Sequence, residues 1–273
     1  MSSWLQPQWP THPQVRSVFT TRDGGHSQPP YGSLNLGDHV GDDPAAVQAN
    51  RQTLARTLAA HPVFLQQVHG WNVVTLQADT PDGLVADACI TATPGVVCTA
   101  MVADCLPVLL THKHGGVVAA AHAGWRGLLG RDGFGVLEAV FDAFCHFPDA
   151  QWAGNAPDQI AQDLQVWLGP CIGPQAFEVG PEVREAFSST CPLGVDPAQV
   201  LACFTPSVGD RYWADLPQLA RLRWRALGVS ALYGNDGSAE WCTVSRESLF
   251  FSHRRDSRSL GSTGRQAAGI WLD

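Results

Sequence analysis

Between Ala88 and His122 the chain is nearly continuous apolar sequence cut into short lengths: ACITAT, VVCTAMVA, LPVLLTH and GVVAAAH. Each piece is rich in β-branched or small apolar residues and bounded by turn signals, so each reads as a buried strand. VFLQQVHG and VVTL, separated by a Gly-Trp-Asn turn, add to the set and put five or six strands within about fifty residues. VRSVFTT (15–21) reads as an edge or first strand and QVWLGPCIG as a strand ending on a loop. So many buried strands need cover on their faces, and helical sequence supplies it. AAVQANRQTLARTLAA follows Asp43 as cap and Pro44 at the first helical position. The stretch from Gly124 to Gly130 opens a helical segment that continues as GVLEAVFDAFCHF. PEVREAFSST and LPQLARLRWRALG give two more amphipathic helices, the second with Asp215 as cap and Pro217 just inside. No internal repeat, low-complexity segment or linker interrupts residues 1–273, which read as one α/β domain with a mixed sheet.

Apolar residues form 45% of the chain against 15% charged, with ten tryptophans and eleven phenylalanines, which is the composition of a packed core. The net charge of -8 comes without any basic run, which argues against nucleic acid and anionic membrane as partners and leaves a small molecule. The opening MSSWLQPQWPTHPQ has neither a basic nor an apolar leader region, so a cytoplasmic protein is expected. Eight cysteines in 273 residues are too sparse for a disulfide scaffold and read as reduced thiols. There is no CxxC, so a metal site has to gather its ligands from distant positions.

Three strand ends offer such ligands: His69 in LQQVHG, Cys105 in VADCLPV and His122 in AAAHAGW. Two imidazoles and a thiolate suit Zn²⁺ in a catalytic site, where three protein ligands leave a position for water or substrate. Taken singly, each has a plainer reading as a hydrogen-bonded turn histidine or a core cysteine. The small residues around His122 in HAGWRG point instead to close backbone approach.

QQVHG, ADACIT, VADCLPVLL, AAAHAGWRG, GPCIG with FEVG, and FFSHRRD with TGR occur in that order. From SLNLGDHVGDD to the C-terminus the chain resembles the YfiH-type laccase-domain family, whose members are also called polyphenol oxidases or purine nucleoside phosphorylases. The resemblance implies a three-layer α/β/α sandwich and zinc at His69, Cys105 and His122. It also implies metal-assisted phosphorolysis of adenosine, inosine, guanosine and methylthioadenosine, and deamination of adenosine. Bacterial members are further linked to peptidoglycan precursor editing, and an older reading makes them copper oxidases. Phe177 stands where tyrosine is frequent and Cys171 where alanine is also seen, so neither a hydroxyl nor a thiol is expected to be essential there.

A purine nucleoside and phosphate need an anion site, for which arginine's forked donors are suited. Arg51 is the first choice, followed by Arg126 and Arg254; Asn35 either contacts ribose or base or sets a turn. Asp104 and Asp87 are rival carboxylates for orienting the site or acting as base. His112 and His114 would share a strand face beside a Gly-Gly turn and are expected to be exposed. With only Met1 and Met101 as methionines, ten histidines and one HxH, a multicopper centre is not supported, although Cu²⁺ can replace Zn²⁺ in a His/His/Cys site. A metal-free reading makes Cys105 the nucleophile and His122 or His69 the base of an amide hydrolase. A third makes zinc a structural staple, which would need a fourth ligand such as Cys171.

Overall fold

In the computed structural model, which describes residues 4–148, 150–192 and 194–273, the apolar segments lack a polar face because two sheets stack against each other. Met1, counted above, lies outside the described residues. In chain order the strands are β1 (Val15–Phe19), β2 (His61–Val63), β3 (Val73–Thr75), β4 (Ala88–Thr91), β5 (Val96–Val102), β6 (Leu106–His112) and β7 (Val118–Ala123). They continue as β8 (Leu164–Leu168), β9 (Glu178–Val179), β10 (Phe204–Pro206), β11 (Tyr212–Ala214), β12 (Ala231–Gly234) and β13 (Gln266–Leu272). The helices are α1 (Pro44–Leu58), α2 (Trp125–Leu129), α3 (Val136–Cys145), α4 (Pro157–Asp163), α5 (Pro181–Ser189), α6 (Pro197–Ala202), α7 (Leu216–Ala226) and α8 (His253–Leu260).

A four-stranded mixed sheet, β1-β13-β5-β2, faces a six-stranded mixed sheet, β12-β8-β6-β7-β4-β3, while β10-β11-β9 form a small antiparallel sheet beside them. Period-two alternation sorts β5: Val96, Cys98, Ala100 and Val102 enter the core between the sheets, and Val97 and Met101 face outward. That outer face is covered by α1 through Leu54 and Leu58. The far face of the six-stranded sheet packs on α3 and α7, with Val140, Phe144, Leu219 and Trp224 in one core. The protein is therefore a single α/β domain with helices on both outer sides, and its β layer comprises two mixed sheets where the sequence suggested one. Among the described residues no helix is long and apolar enough to cross a membrane.

Three local expectations need correction. VFLQQVHG is not a strand beyond Val63: the chain leaves the sheet there and runs to Gly70 as a loop. The expected long helix after His122 is two helices, broken at Gly130, whose φ of +65° ends α2 and where a Cβ would sit 2.0 Å from the Phe134 carbonyl oxygen. His112 is not exposed; it lies in β6 at 3% exposure, stacked on Trp152 at 4.2 Å between ring centroids, while His114 is exposed.

That burial has a consequence for stability. It pushes the His112 imidazole down from 6.5 to about 4, against the opposing charge of Asp163. The unfolded chain takes up this proton near 6.5 and the folded chain only near 4, so the contribution is complete above that window and is lost as pH falls through it. The loss is at most about 3 kcal/mol. In urea titrations at pH 7 and pH 5, His112→Phe, which keeps the stacking but not the titration, is expected to lose less stability on acidification than the parent; equal losses would contradict this.

Candidate metal centre

Cys105 and His122 are brought together by neighbouring strands. Cys105 ends the turn from β5 into β6, and Leu106 beside it pairs with Ala123 while Pro107 pairs with His122. His69 comes from the loop after β2 with a left-handed backbone at φ +60°, rather than from a strand end. Asp87 gathers this loop. Its carboxylate accepts from the backbone N–H groups of Val68 at 3.1 Å, His69 at 2.9 Å and Gly70 at 2.7 Å. The same carboxylate takes His122 Nδ1 at 2.8 Å, leaving Nε2 as the free ring nitrogen. His69 Nε2 lies 3.8 Å from Cys105 Sγ, and the two imidazoles meet edge to face with centroids 4.8 Å apart. Among the described residues, these three form the one group of at least three His, Cys, Asp or Glu residues able to share a metal, with donor atoms all within 4.8 Å of one another.

The glycines of HAGWRG are required by this convergence. A Cβ on Gly124 would stand 2.8 Å from His69 Cδ2 and 3.0 Å from Cys105 Sγ, and one on Gly127 would stand 2.8 Å from the Gly70 carbonyl oxygen. Gly124→Ala is accordingly expected to displace the His69–Cys105 pair and weaken zinc binding about tenfold or more, with the far-UV circular dichroism retained. Competition with a chromophoric chelator measures this, and unchanged affinity would contradict it.

Burial opposes charge on Asp87, Cys105 and His122, and their neighbours overcome it. Asp87 is held below the ordinary carboxylate value, despite burial, by hydrogen bonds from His122 and from the backbone of the His69 loop. Burial raises the Cys105 thiol, but His122 and His69 bring it down to about 6. Burial lowers His122, but Cys105 and Asp87 bring it up to about 9. Both shifts favour charge separation, with Cys105 toward thiolate and His122 toward imidazolium, and a divalent cation held here would take the place of the imidazolium proton. Two nitrogens, one sulfur and a buried carboxylate behind one imidazole fit Zn²⁺.

The centre opens into a cavity of about 380 Å³, within the ~300–1,000 Å³ of small-molecule sites. Trp125, Ile172 and Phe177 supply apolar wall, and His253, Arg254 and Arg265 supply cationic or hydrogen-bonding groups. Of the arginines nominated from sequence, Arg254 lines this cavity and Arg51 and Arg126 do not. Arg51 on α1 is committed to Asp38, Asp82 and the Leu36 carbonyl, with its guanidinium over Phe64. Arg126 is exposed and stacks 4.3 Å from the Trp125 ring centroid. Asn35 has the turn role: its amide donates to the Gly37 carbonyl and Asp42, and its oxygen accepts from the N–H groups of Gly37 and Arg265.

Arg265, within TGR, is a cavity group that residue-by-residue reading misses, as it misses His253. The signal for Arg265 was the motif itself, since nothing in its local spacing distinguishes it. Asp104 lies beside the thiolate but spends its carboxylate on the Thr243 hydroxyl and the Arg254 N–H, both at 2.6 Å. Asp87, not Asp104, is thus the carboxylate that orients one of the three donors. Cys171 accepts from Asn235 and does not belong to the three-donor group.

The family described as multi-copper polyphenol oxidoreductase laccase matches residues 16–273. The chain belongs to this family. Across its full length the laccase-domain protein is 47% identical to a purine nucleoside phosphorylase of Pseudomonas aeruginosa, covering 99% of that relative. It is 46% identical, with both chains fully covered, to the purine nucleoside phosphorylase YfiH of Escherichia coli. Among solved structures it is similar to Neisseria meningitidis protein NMB0706, with a TM-score of 0.82, 40% identity and 99% of each chain covered. YlmD from Geobacillus stearothermophilus gives a TM-score of 0.82 at 31% identity, covering 98% of this chain and 96% of that one. The family description speaks of several coppers, whereas the described residues of this laccase-domain protein offer one three-donor group.

Proposed function

We propose that this protein is a zinc-dependent purine nucleoside phosphorylase acting on adenosine, inosine, guanosine and methylthioadenosine, with adenosine deamination as a second activity. The observation that carries this reading is the His69–Cys105–His122 group opening into a cavity that also holds Arg254 and Arg265. Relatives named purine nucleoside phosphorylase, alike over the whole chain, support it. His69, Cys105 and His122 would hold a zinc ion, which would supply Lewis acidity when bound; Cu²⁺ could occupy the same donors.

The chain's own groups do the rest. Trp125 and Phe177 line the cavity with aromatic surface against which a purine ring would pack. Arg254, anchored through its guanidinium to the Glu178 carbonyl at 3.0 Å, and Arg265 give the cavity two cationic side chains suited to a phosphate. In phosphorolysis a phosphate oxygen bonds to C1′ as the bond from C1′ to the base breaks, and the base leaves with a proton. In deamination water adds at the carbon bearing the amine and ammonia leaves. Incubating metal-characterised protein with adenosine is expected to give adenine and ribose 1-phosphate when phosphate is present, and inosine when it is absent. Neither product from zinc-loaded protein would contradict the reading.

A second reading follows from the thiolate and imidazolium of the metal-free site: an amide hydrolase with Cys105 as nucleophile, acting on a peptidoglycan precursor. Activity that survives zinc removal and is abolished by iodoacetamide favours it; activity lost with zinc and restored by zinc favours the phosphorylase.

A further inference from the structure

We propose that Gln67 is a positioning residue that sets the His69-to-Cys105 side of the metal triad, an inference that rests on the metal-site reading above. The three donor residues are tied together pairwise by different devices. The pairing of Leu106 with Ala123 and of Pro107 with His122 fixes Cys105 against His122. Asp87 fixes His69 against His122, holding the backbone of one and the ring of the other. The third side has no strand pairing to set it: β2 runs beside β5 only while His61 to Val63 face Val96 to Cys98, and then leaves the sheet.

Farther along β5, Met101 has its backbone N–H and C=O at the edge that β2 has abandoned, since the other edge is taken by β13 with Ala267 opposite Met101. The Gln67 side chain takes both groups. Its Nε2 donates to the Met101 carbonyl at 2.8 Å, and its Oε1 accepts from the Met101 N–H at 2.8 Å. One carboxamide thus performs the pairing of an absent strand residue. Gln67 stands two residues before His69, and Met101 four before Cys105, so this contact joins the loop carrying one ligand to the strand leading to the other. Glutamate has the same length but two acceptors, one of which would face the Met101 carbonyl.

The test is zinc affinity of the full chain, by competition with a chromophoric chelator, for the parent, Gln67→Ala, Gln67→Glu, His69→Ala and the Gln67→Ala/His69→Ala double variant. Each Gln67 variant is expected to bind zinc about ten- to a hundredfold more weakly than the parent. In the His69→Ala background Gln67→Ala is expected to add nothing, because it acts through His69. Parent-like affinity, or the same loss in both backgrounds, would overturn the proposal. Hydrogen exchange of residues 66–71 in the metal-free protein tests the tether without zinc: faster exchange in Gln67→Ala supports it, and unchanged exchange overturns it. Failure of the metal reading is distinguishable, since the parent itself would then hold no stoichiometric zinc.

Discussion

Cys105→Ala and His122→Ala are each expected to abolish nucleoside turnover while leaving the fold intact. The loss should exceed the ~10–100-fold typical of residues that act only through a ligand, because each change removes a donor from a three-donor set. The fold should survive because neither side chain carries the core: Cys105 is half-buried in a turn, and β7 remains paired on both sides, with β6 and β4. Removing His122 also leaves Asp87 with its three backbone donors from the His69 loop. Turnover of adenosine and zinc content, measured on the same preparations, decide the matter. Parent-like turnover in either variant would end the proposed catalytic assignment.

The second large effect is expected at Asp87, which is not among the residues that line the cavity. At 1% exposure it accepts from three backbone amides and from His122, four donors in all converging on two oxygens. Asp87→Asn keeps the shape but turns one acceptor into a donor facing other donors. Both the His69 loop and the His122 ring then lose their fixed orientation. Zinc affinity is expected to fall about ten- to a hundredfold. The unmatched buried donors are expected to remove a further ~1–3 kcal/mol of stability. Chelator competition and denaturant titration measure the two losses separately. A variant that lost stability but bound zinc as the parent does would make Asp87 a purely structural carboxylate.

How much of this was legible beforehand depended on the range of the interactions involved. The strands from Ala88 to Ala123 and the helices capped by Asp43 and Asp215 are set by local signals, and the caps are present: Asp43 accepts from the Ala45 N–H and Asp215 from the Gln218 N–H. The division of the β layer into two sheets was not legible, because alternating buried residues look the same whether a helix or a second sheet faces them. The C-terminal strand Gln266–Leu272 is not legible from local sequence, since its partners β1 and β5 are both distant in the chain. Of the site, the three donors were named from their residue types and from the family resemblance. The arginines of the cavity are less legible, because spacing does not reveal that Arg51 is paired with Asp38 and Asp82 while Arg265 lines the cavity. The same holds for the choice between Asp87 and Asp104: each adjoins an apolar strand, and only the three-dimensional contacts show that Asp87 reaches His122 and Asp104 reaches Thr243.

The central claim is that His69, Cys105 and His122 together hold one metal ion and leave it a vacant position for a reactant. X-ray absorption at the zinc edge, on protein purified without added metal and quantified by elemental analysis, tests it most directly. The expected result is one zinc per chain coordinated by two imidazole nitrogens, one sulfur and one exchangeable light atom. Absence of stoichiometric metal, or a shell closed by four protein ligands, would contradict it.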